Sequence, residues 1–382
     1  MIPYSTPLNI EIEDSHIIEK INLVLLMLYK READKERTEY LITHSQLFSI
    51  TSKLLEEDFE IIREDYRKIV TKIQNGEAHL LSESDTTYLA ASTKGSTAKK
   101  SLQPQFYNPD IKAKRRAFSF KQGFMTYIIN NYIFKGTETY ESIINKPEEL
   151  KNTTFEDLIV NKLNAYIGYS KQQLKNSFNL KTESKQLFST LAFRMLGIKS
   201  NNAEEFVKAN IIVKAIKVEE NGKIKYNMSF PTFTIKDLLQ ENWEDSWFYN
   251  YFSETKFLFV VYKHNGEDYV FSGAKFWNLS TTLLEEEAKN DWLKVKEAYE
   301  HVQFYPKNNI ISNNLPKAKD TNLFFSKLHT AKTAHIINGV GYGKGLDKYE
   351  SYTDILPNGD RMPIQSFWLN KNFVIKEIKE LV

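Results

Sequence analysis

Three sequence segments recur in the same order in the two halves of the chain. The apolar run LVLLMLYK at 23–30 matches FLFVVYK at 257–263, and a helical pattern beginning at Asp65 matches one beginning at Asp291. The third pair is RAFSFKQGF at 116–124 and QSFWLNKNF at 365–373. Any two α/β domains share strand–helix–strand runs, but three ordered pairs favour duplication of one unit. We therefore expect two related α/β domains with mixed (α+β) sheets.

The length of the chain agrees with that division. At 382 residues it is too long for one ordinary hydrophobic core. Helical patterns dominate between 136 and 200, with little strand signal. The predicted organisation is a first domain at 1–135, a helical connector at 136–200 and a second domain at 201–382.

Local patterns predict three further features. The continuous apolar run Leu23–Tyr29 is typical of a buried central strand. Apolar residues at helical spacing predict a helix over Glu56–Gln74, stopped near Gly76. A turn at Asn221-Gly222 predicts that 210–218 and 225–230 form a hairpin, because Asn-Gly suits the positive φ values of a tight turn.

Composition excludes several classes of protein. The chain has no cysteine, which excludes disulfides, thiolate chemistry and cysteine-ligated zinc. Its longest apolar run is far too short to cross a bilayer, and no basic segment precedes an apolar one at the N-terminus. These features predict a cytoplasmic protein. The net charge of +2 says little about partners, because the positive charge is concentrated locally.

One segment is strongly basic. Between Lys94 and Lys121 the chain carries eight Lys or Arg residues against one acid, Asp110. Small polar residues surround the first lysine: Ser92, Thr93, Gly95 and Ser96. Such cations can neutralise phosphates, and small residues let a backbone approach a groove closely. The alternative interpretation is a solvated basic loop.

A family resemblance favours the first interpretation. YLAASTKGSTAK at 88–99, followed by RAFSFKQGFMTYII at 116–129, resembles the DNA-contacting end of the MutH family, which includes GATC-cutting type II restriction endonucleases. The resemblance extends over nearly the whole chain, as two MutH-like domains. It implies double-stranded DNA as the partner and Mg²⁺-dependent phosphodiester cleavage at GATC as the family's activity.

The same resemblance implies roles for individual residues. Lys94 takes the position of the lysine that reads the GATC bases, and such a side chain can donate to guanine O6 and N7. Ser119 stands where MutH has a tyrosine on the contacting strand, and Lys20 aligns with an auxiliary active-site lysine. Expected phosphate contacts are Lys99, Lys100, Lys112, Lys114, Arg115, Arg116 and Lys121.

The catalytic motif of the family is the main departure. These nucleases hold Mg²⁺ with an Asp and with the Glu of a later Glu-x-Lys. In the first domain that motif is expected just upstream of the segment that begins Met1-Ile2-Pro3. We therefore expect an N-terminally truncated first domain, no complete Mg²⁺ site and no activity of this polypeptide alone. A missing N-terminal segment or a second copy of the chain would be a partner. The alternative is a non-catalytic DNA-binding or regulatory fragment.

The second domain resembles a degenerate copy of the same site. Glu205 stands at the Asp position and Lys214 at the lysine position, but Ile212 replaces the metal-binding Glu. An isoleucine cannot ligate Mg²⁺. This domain therefore resembles a DNA-binding or effector module, in which Lys256 aligns with Lys20. A literal Asp245…Glu254-x-Lys256 string is a third hypothesis for a catalytic site, although such strings arise often by chance.

Overall fold

The computed structural model describes residues 1–32, 34–52, 55–93, 101–134, 140–181, 183–307 and 309–382. Helices and small, largely antiparallel sheets alternate along these residues, so the fold is α+β. None of the described helices is long and apolar enough to cross a membrane. Lys94, Gly95, Ser96 and Lys99, which the sequence predicts to contact DNA, lie outside the described residues, as does Lys100.

The helices and strands have the following bounds. The helices are α1 (His16–Ile21), α2 (Glu56–Gln74), α3 (Gln122–Ile128), α4 (Phe155–Asn164), α5 (Lys171–Ser177), α6 (Leu187–Met195), α7 (Glu204–Ala209), α8 (Ile235–Gln240), α9 (Trp247–Glu254), α10 (Thr281–Leu283), α11 (Lys289–Glu300), α12 (Tyr349–Tyr352) and α13 (Lys371–Glu377). The strands are β1 (Val24–Tyr29), β2 (Ile42–Phe48), β3 (Leu89–Thr93), β4 (Leu102–Gln103), β5 (Ala113–Lys114), β6 (Arg116–Phe120), β7 (Ile211–Val218), β8 (Met228–Phe233), β9 (Lys256–His264), β10 (Tyr269–Trp277), β11 (Phe304–Lys307), β12 (Ile310–Asn313), β13 (Phe324–Leu328), β14 (His335–Ile337), β15 (Val340–Tyr342), β16 (Thr353–Ile355), β17 (Arg361–Pro363) and β18 (Gln365–Leu369).

The chain forms two compact units whose bounds differ from those predicted from the sequence. The first unit contains 1–215, 254–260 and 270–278, and the second contains 216–253, 261–269 and 279–382. The segment predicted as a helical connector, 136–200, therefore belongs to the first unit. It does contain the helices α4, α5 and α6, but no helix forms at 140–144.

Helix α2 is the central helix of the first unit, and its predicted bounds are confirmed. Three acidic residues in its first turn stabilise the helix by interacting with the positive end of the helix dipole. Its side chains Ile62, Ile69 and Ile73 are buried and pack in the core. The helix ends at Gly76, whose φ of +78° suits a residue without a Cβ, and whose N–H bonds to the Ile73 carbonyl.

A hairpin of β3 and β6 lies beside α2. The strands pair antiparallel from Leu89 opposite Phe120 to Thr93 opposite Arg116. The chain leaves β3 at Thr93 and returns through β4 and β5, which pair with each other. Helix α3 follows β6 directly. The basic segment 94–115 is therefore the connection of this hairpin.

The second unit repeats this arrangement. Helix α11 precedes β13, β13 pairs antiparallel with β18, and α13 follows β18. Asp65 on α2 accepts hydrogen bonds from the N–H groups at the start of β3, and Asp291 on α11 does so at the start of β13. Two of the three matched sequence pairs, the helix with its aspartate and the strand followed by a helix, therefore recur in the structure.

Strand β1 differs from the buried central strand predicted for it. It pairs with β2 in a two-stranded sheet, and Leu25, Met27 and Tyr29 are 55–60% exposed. Its sequence counterpart β9 lies between β10 and β7, and Phe257–Tyr262 are fully buried. The apolar run therefore forms a strand as predicted, but one face of β1 remains open among the described residues.

The predicted hairpin of 210–218 with 225–230 is wrong. The Asn221-Gly222 turn forms, with Gly222 at a φ of +73°, but the segment beyond it makes only a bridge from Ile224 to Val218. Strand β8 pairs instead with β18, more than 130 residues later in the chain. The turn residues predicted the local bend correctly, whereas strand pairing followed side-chain packing.

Candidate DNA-binding face of the first unit

A cleft of about 860 Å³ lies in the first unit beside the β3–β6 hairpin. The cleft brings together two residues that the sequence predicts to be functional, Lys20 from α1 and Ser119 from β6. Phe118 and Phe120 flank Ser119 along its wall, and the polar residues Asp14, His16 and Glu19 also line it. The cleft therefore combines an apolar wall with mixed charges from the N-terminal segment.

The hairpin positions Ser92 against Ser119. Their hydroxyl oxygens are 2.5 Å apart, across the two strands. Thr93, the next residue, is the last residue of β3 before the basic connection. The predicted contact residues Ser92, Thr93 and Ser119 thus lie on one hairpin.

Exposed cations lie on the returning arm of the connection. Lys112 and Arg115 are exposed, and Lys114 is half-buried. Arg115 follows β5 directly, and its N–H donates to the Ser101 carbonyl. The exposed side chains of Lys112 and Arg115 lie at the surface, as the predicted phosphate contacts require.

Two other predicted phosphate contacts are buried, and we correct their assignment. Arg116 is 5% exposed, and its Nη1 donates to the Ala91 carbonyl at 2.6 Å. Lys121 is 6% exposed, and its Nζ donates to the carbonyls of Thr86 at 2.6 Å and Ala209 at 3.5 Å. Both cations therefore connect backbone segments within the unit and do not present their charge to DNA.

The interior position of Lys121 changes its pKa. Burial, reinforced by repulsion from Lys256, lowers the pKa of Lys121 to about 7, although Asp65, Glu83 and Asp85 act in the opposite direction. Loss of solvation penalises the charged form of a buried amine. Lys121 is therefore poised to lose its proton near neutral pH.

The residues of the predicted degenerate site do not converge on a metal. The Glu205 carboxylate is buried and accepts from the Ser142 hydroxyl at 2.6 Å and from the N–H groups of Ile143 and Ile144. It fastens α7 to the segment before α4. Burial lowers the pKa of Lys214 to about 8. Glu205, which aligns with the Asp of the catalytic motif, therefore has a structural role here.

The Asp245…Glu254-x-Lys256 string is also used structurally. Lys256 is 3% exposed, donates to the Asp85 carbonyl at 3.1 Å and pairs with Glu156. Burial, together with the nearby Glu83, raises the pKa of Glu254. Among the residues that the structure describes, no group of three or more His, Cys, Asp or Glu side chains is arranged to hold a metal ion.

Sequence reasoning missed a buried ion cluster on α7. Lys208 Nζ lies 2.8 Å from Asp58 Oδ1 and 2.6 Å from Glu204 Oε1, and 4.0 Å from the centre of the Tyr127 ring. The Glu204–Lys208 spacing of four residues was the one local signal. Close packing accompanies the cluster, because a Cβ on Gly123 of α3 would lie 2.3 Å from the Val207 carbonyl oxygen. Helix α7 is thereby fixed against α2 and α3.

These features define an α+β protein of two related units, the first with a basic hairpin connection beside a cleft. Comparison with known proteins agrees with this class. The family model described as DNA mismatch repair enzyme MutH matches residues 1–65. The type II restriction enzyme Sau3AI of Staphylococcus aureus is 32% identical over 416 aligned positions, covering 100% of this chain and 82% of that enzyme. The chain belongs to the MutH-like type II restriction endonucleases.

Proposed function

We propose that the first unit binds double-stranded DNA specifically at GATC. The observation that carries the proposal is the β3–β6 hairpin, which supports the basic connection beside the cleft containing Lys20 and Ser119. In this proposal Lys94 reads the bases in the major groove, and Lys112, Lys114 and Arg115 contact phosphates. Ser92, Thr93 and Ser119 lie along the approach to the groove.

The family's cleavage chemistry uses Mg²⁺ to polarise the scissile phosphate and to generate the attacking hydroxide. The described residues do not fit that ion. Asp14 and Glu19 share the cleft with Lys20, but Glu19 lies 3.4 Å from His16 on an exposed surface, and among the described residues no group of three or more carboxylate or histidine side chains is arranged there to hold a metal. We therefore propose that this polypeptide alone binds DNA without cutting it, with Lys20 as an auxiliary lysine of the family's site.

As a partner in cleavage we propose a second copy of the chain. The open face of β1 and β2 supports such association. Leu25, Met27, Tyr29, Ile42 and Leu47 are each 55–61% exposed. Monomeric proteins rarely leave so contiguous an apolar patch uncovered.

For the second unit we propose a DNA-binding or effector role. Residues 301–346 carry six lysines against one acid, Asp320. Several of them lie beside or within the connection of the β13–β18 hairpin, the counterpart of β3–β6. The lysine-rich stretch supports a nucleic-acid contact, although the connection itself, 329–364, differs from 94–115 in carrying four Lys or Arg and four Asp or Glu residues. The alternative function is that of a non-catalytic regulatory DNA-binding protein. It differs from a restriction endonuclease only in that no partner would enable the chain to cleave DNA.

The test is incubation of the purified chain with a plasmid carrying GATC sites, with Mg²⁺ and with EDTA, and with a matched plasmid lacking GATC. We expect no cleavage in any lane and retention of the GATC duplex in a parallel gel shift. Mg²⁺-dependent cutting at GATC would contradict the proposed inactivity. Equal retention of both sequences would contradict specific recognition.

A further inference from the structure

The carboxylate of Asp65 holds three successive backbone N–H groups at the start of β3. Oδ1 accepts from Thr87 at 2.7 Å, and Oδ2 accepts from Tyr88 at 2.5 Å and Leu89 at 2.9 Å. Asp65 is 1% exposed. A carboxylate is an acceptor only, with enough lone pairs for all three donors, and an uncharged amide cannot reproduce this arrangement. The start of β3 is therefore fixed to α2 by one side chain.

The same arrangement of hydrogen bonds occurs in the second unit. Asp291 of α11 is fully buried and accepts from the N–H groups of Asn322 at 3.1 Å, Leu323 at 2.7 Å and Phe324 at 2.9 Å. In both units the strand held in this way is the one that leads into the hairpin connection, at 94–115 and at 329–364. Because the arrangement recurs, we connect the aspartate with the positioning of that connection.

The position of the first residues of β3 determines the position of its last residues, Ser92 and Thr93. Leu89 pairs with Phe120, and the ladder continues without a bulge to Thr93, the residue before Lys94. Because side chains alternate between faces along a strand, a slip of one residue would turn Ser92 and Thr93 to the opposite faces. The Ser92–Ser119 hydroxyl contact depends on the same register. The returning arm with Lys112 and Arg115 is held separately, through β4 and β5.

We infer that Asp65 is a positioning residue for base recognition. By holding the start of β3 it sets the register of β3 on β6, and thereby the position of Thr93, the last described residue before Lys94. The inference rests on the proposed function. It assigns Asp65 to discrimination between sequences, and it leaves the phosphate contacts of the returning arm unaffected.

The experiment compares Asp65→Asn with the matched variant Asp291→Asn in the full chain. Asparagine keeps the shape, but its amide nitrogen would face backbone donors. For each protein, binding to a GATC duplex and to a scrambled duplex is measured at several salt concentrations, together with urea unfolding. We expect Asp65→Asn to reduce the preference for GATC by about tenfold or more, with the scrambled-duplex affinity and the salt slope unchanged. Asp291→Asn should shift the unfolding midpoint comparably and keep the preference.

An unchanged preference in Asp65→Asn, or an equal loss in both variants, would overturn the inference. If Asp65→Asn does not fold, Ser92→Ala provides the second test. It removes a half-buried hydroxyl further along the same strand, and we expect a severalfold loss of preference at unchanged unfolding midpoint; no loss would overturn the role assigned to the register. Failure of the proposed function is distinguishable, because the wild-type chain would then show no preference for GATC.

Discussion

Lys208 and Asp58, 150 positions apart in the chain, form a buried ion pair in which Lys208 Nζ lies 2.8 Å and 3.0 Å from the two carboxylate oxygens. Lys208 is 3% and Asp58 6% exposed. The pair joins α7 to the first turn of α2, and Glu204 places a second carboxylate against the same lysine from one turn earlier on α7. The pair thus fixes the last helix before β7 onto the central helix of the first unit.

Removing one member of this pair should be strongly destabilising. Lys208→Met leaves Asp58 and Glu204 without their cation, and breaking a buried pair typically costs about 3–5 kcal/mol. The free energy of unfolding from urea titration measures this. The double variant Lys208→Met/Asp58→Asn is the control and should recover a substantial part of the loss. A single variant as stable as the wild type would show that the pair is not formed in solution.

Lys121 predicts a pH dependence of stability. Its pKa of about 7 in the folded protein lies below its ordinary value of 10.5, so between these values the folded state binds fewer protons than the unfolded state. The free energy of unfolding should therefore rise from pH 7 toward pH 10, by up to about 1.4 kcal/mol per pH unit from this group. Below pH 7 the cost of charging Lys121 is fully present.

The variant Lys121→Met isolates this contribution, because methionine is uncharged and of similar length. The pH-dependent rise of the unfolding free energy should be smaller in Lys121→Met than in the wild type. Lys112→Met, at an exposed position, should keep the wild-type slope. Identical slopes for Lys121→Met and the wild type between pH 7 and 10 would exclude a depressed pKa at Lys121.

Base reading and phosphate binding should separate in two lysine variants. Lys94→Ala removes the proposed base contact, and we expect a loss of roughly 1–3 kcal/mol in discrimination between GATC and scrambled duplexes. Lys112→Ala removes an exposed cation and should weaken binding to both duplexes alike, with a smaller salt slope. Discrimination unaffected by Lys94→Ala would remove that residue from base recognition.

The open face of β1 and β2 should mediate association. We expect Leu25→Lys/Met27→Lys to lower self-association of the chain, measured by sedimentation over a concentration series, because the charges prevent burial of the patch. Leu293→Lys alters an exposed leucine in the second unit and serves as the control. A wild-type chain that stays monomeric at every concentration would contradict a second copy of the chain as the partner.

The sequence predicted those features that depend on local spacing. Helix α2 lies at its predicted bounds, and the repeat is visible because strand, helix and aspartate recur in order. The burial of Arg116 and Lys121 was not predictable from the sequence. The carbonyls that accept their hydrogen bonds, at Ala91, Thr86 and Ala209, are distant in sequence.

Pairing over long distances explains the other differences. Strand β8 carries no signal for its partner β18, and β1 has the sequence of a strand covered on both faces although one face is open. For the candidate site, the family resemblance pointed to Lys20 and Ser119, which the structure places in one cleft. It did not predict that Glu205 and Lys256 are occupied by structural contacts.

The most direct test of the central claim is equilibrium binding of the wild-type chain to two duplexes that differ only in a GATC sequence and its scrambled form. Fluorescence anisotropy at fixed salt, with Ca²⁺ in place of Mg²⁺ to prevent any cleavage, gives both affinities. We predict that the GATC duplex binds at least about tenfold more tightly. Equal affinities would contradict sequence-specific recognition by the first unit.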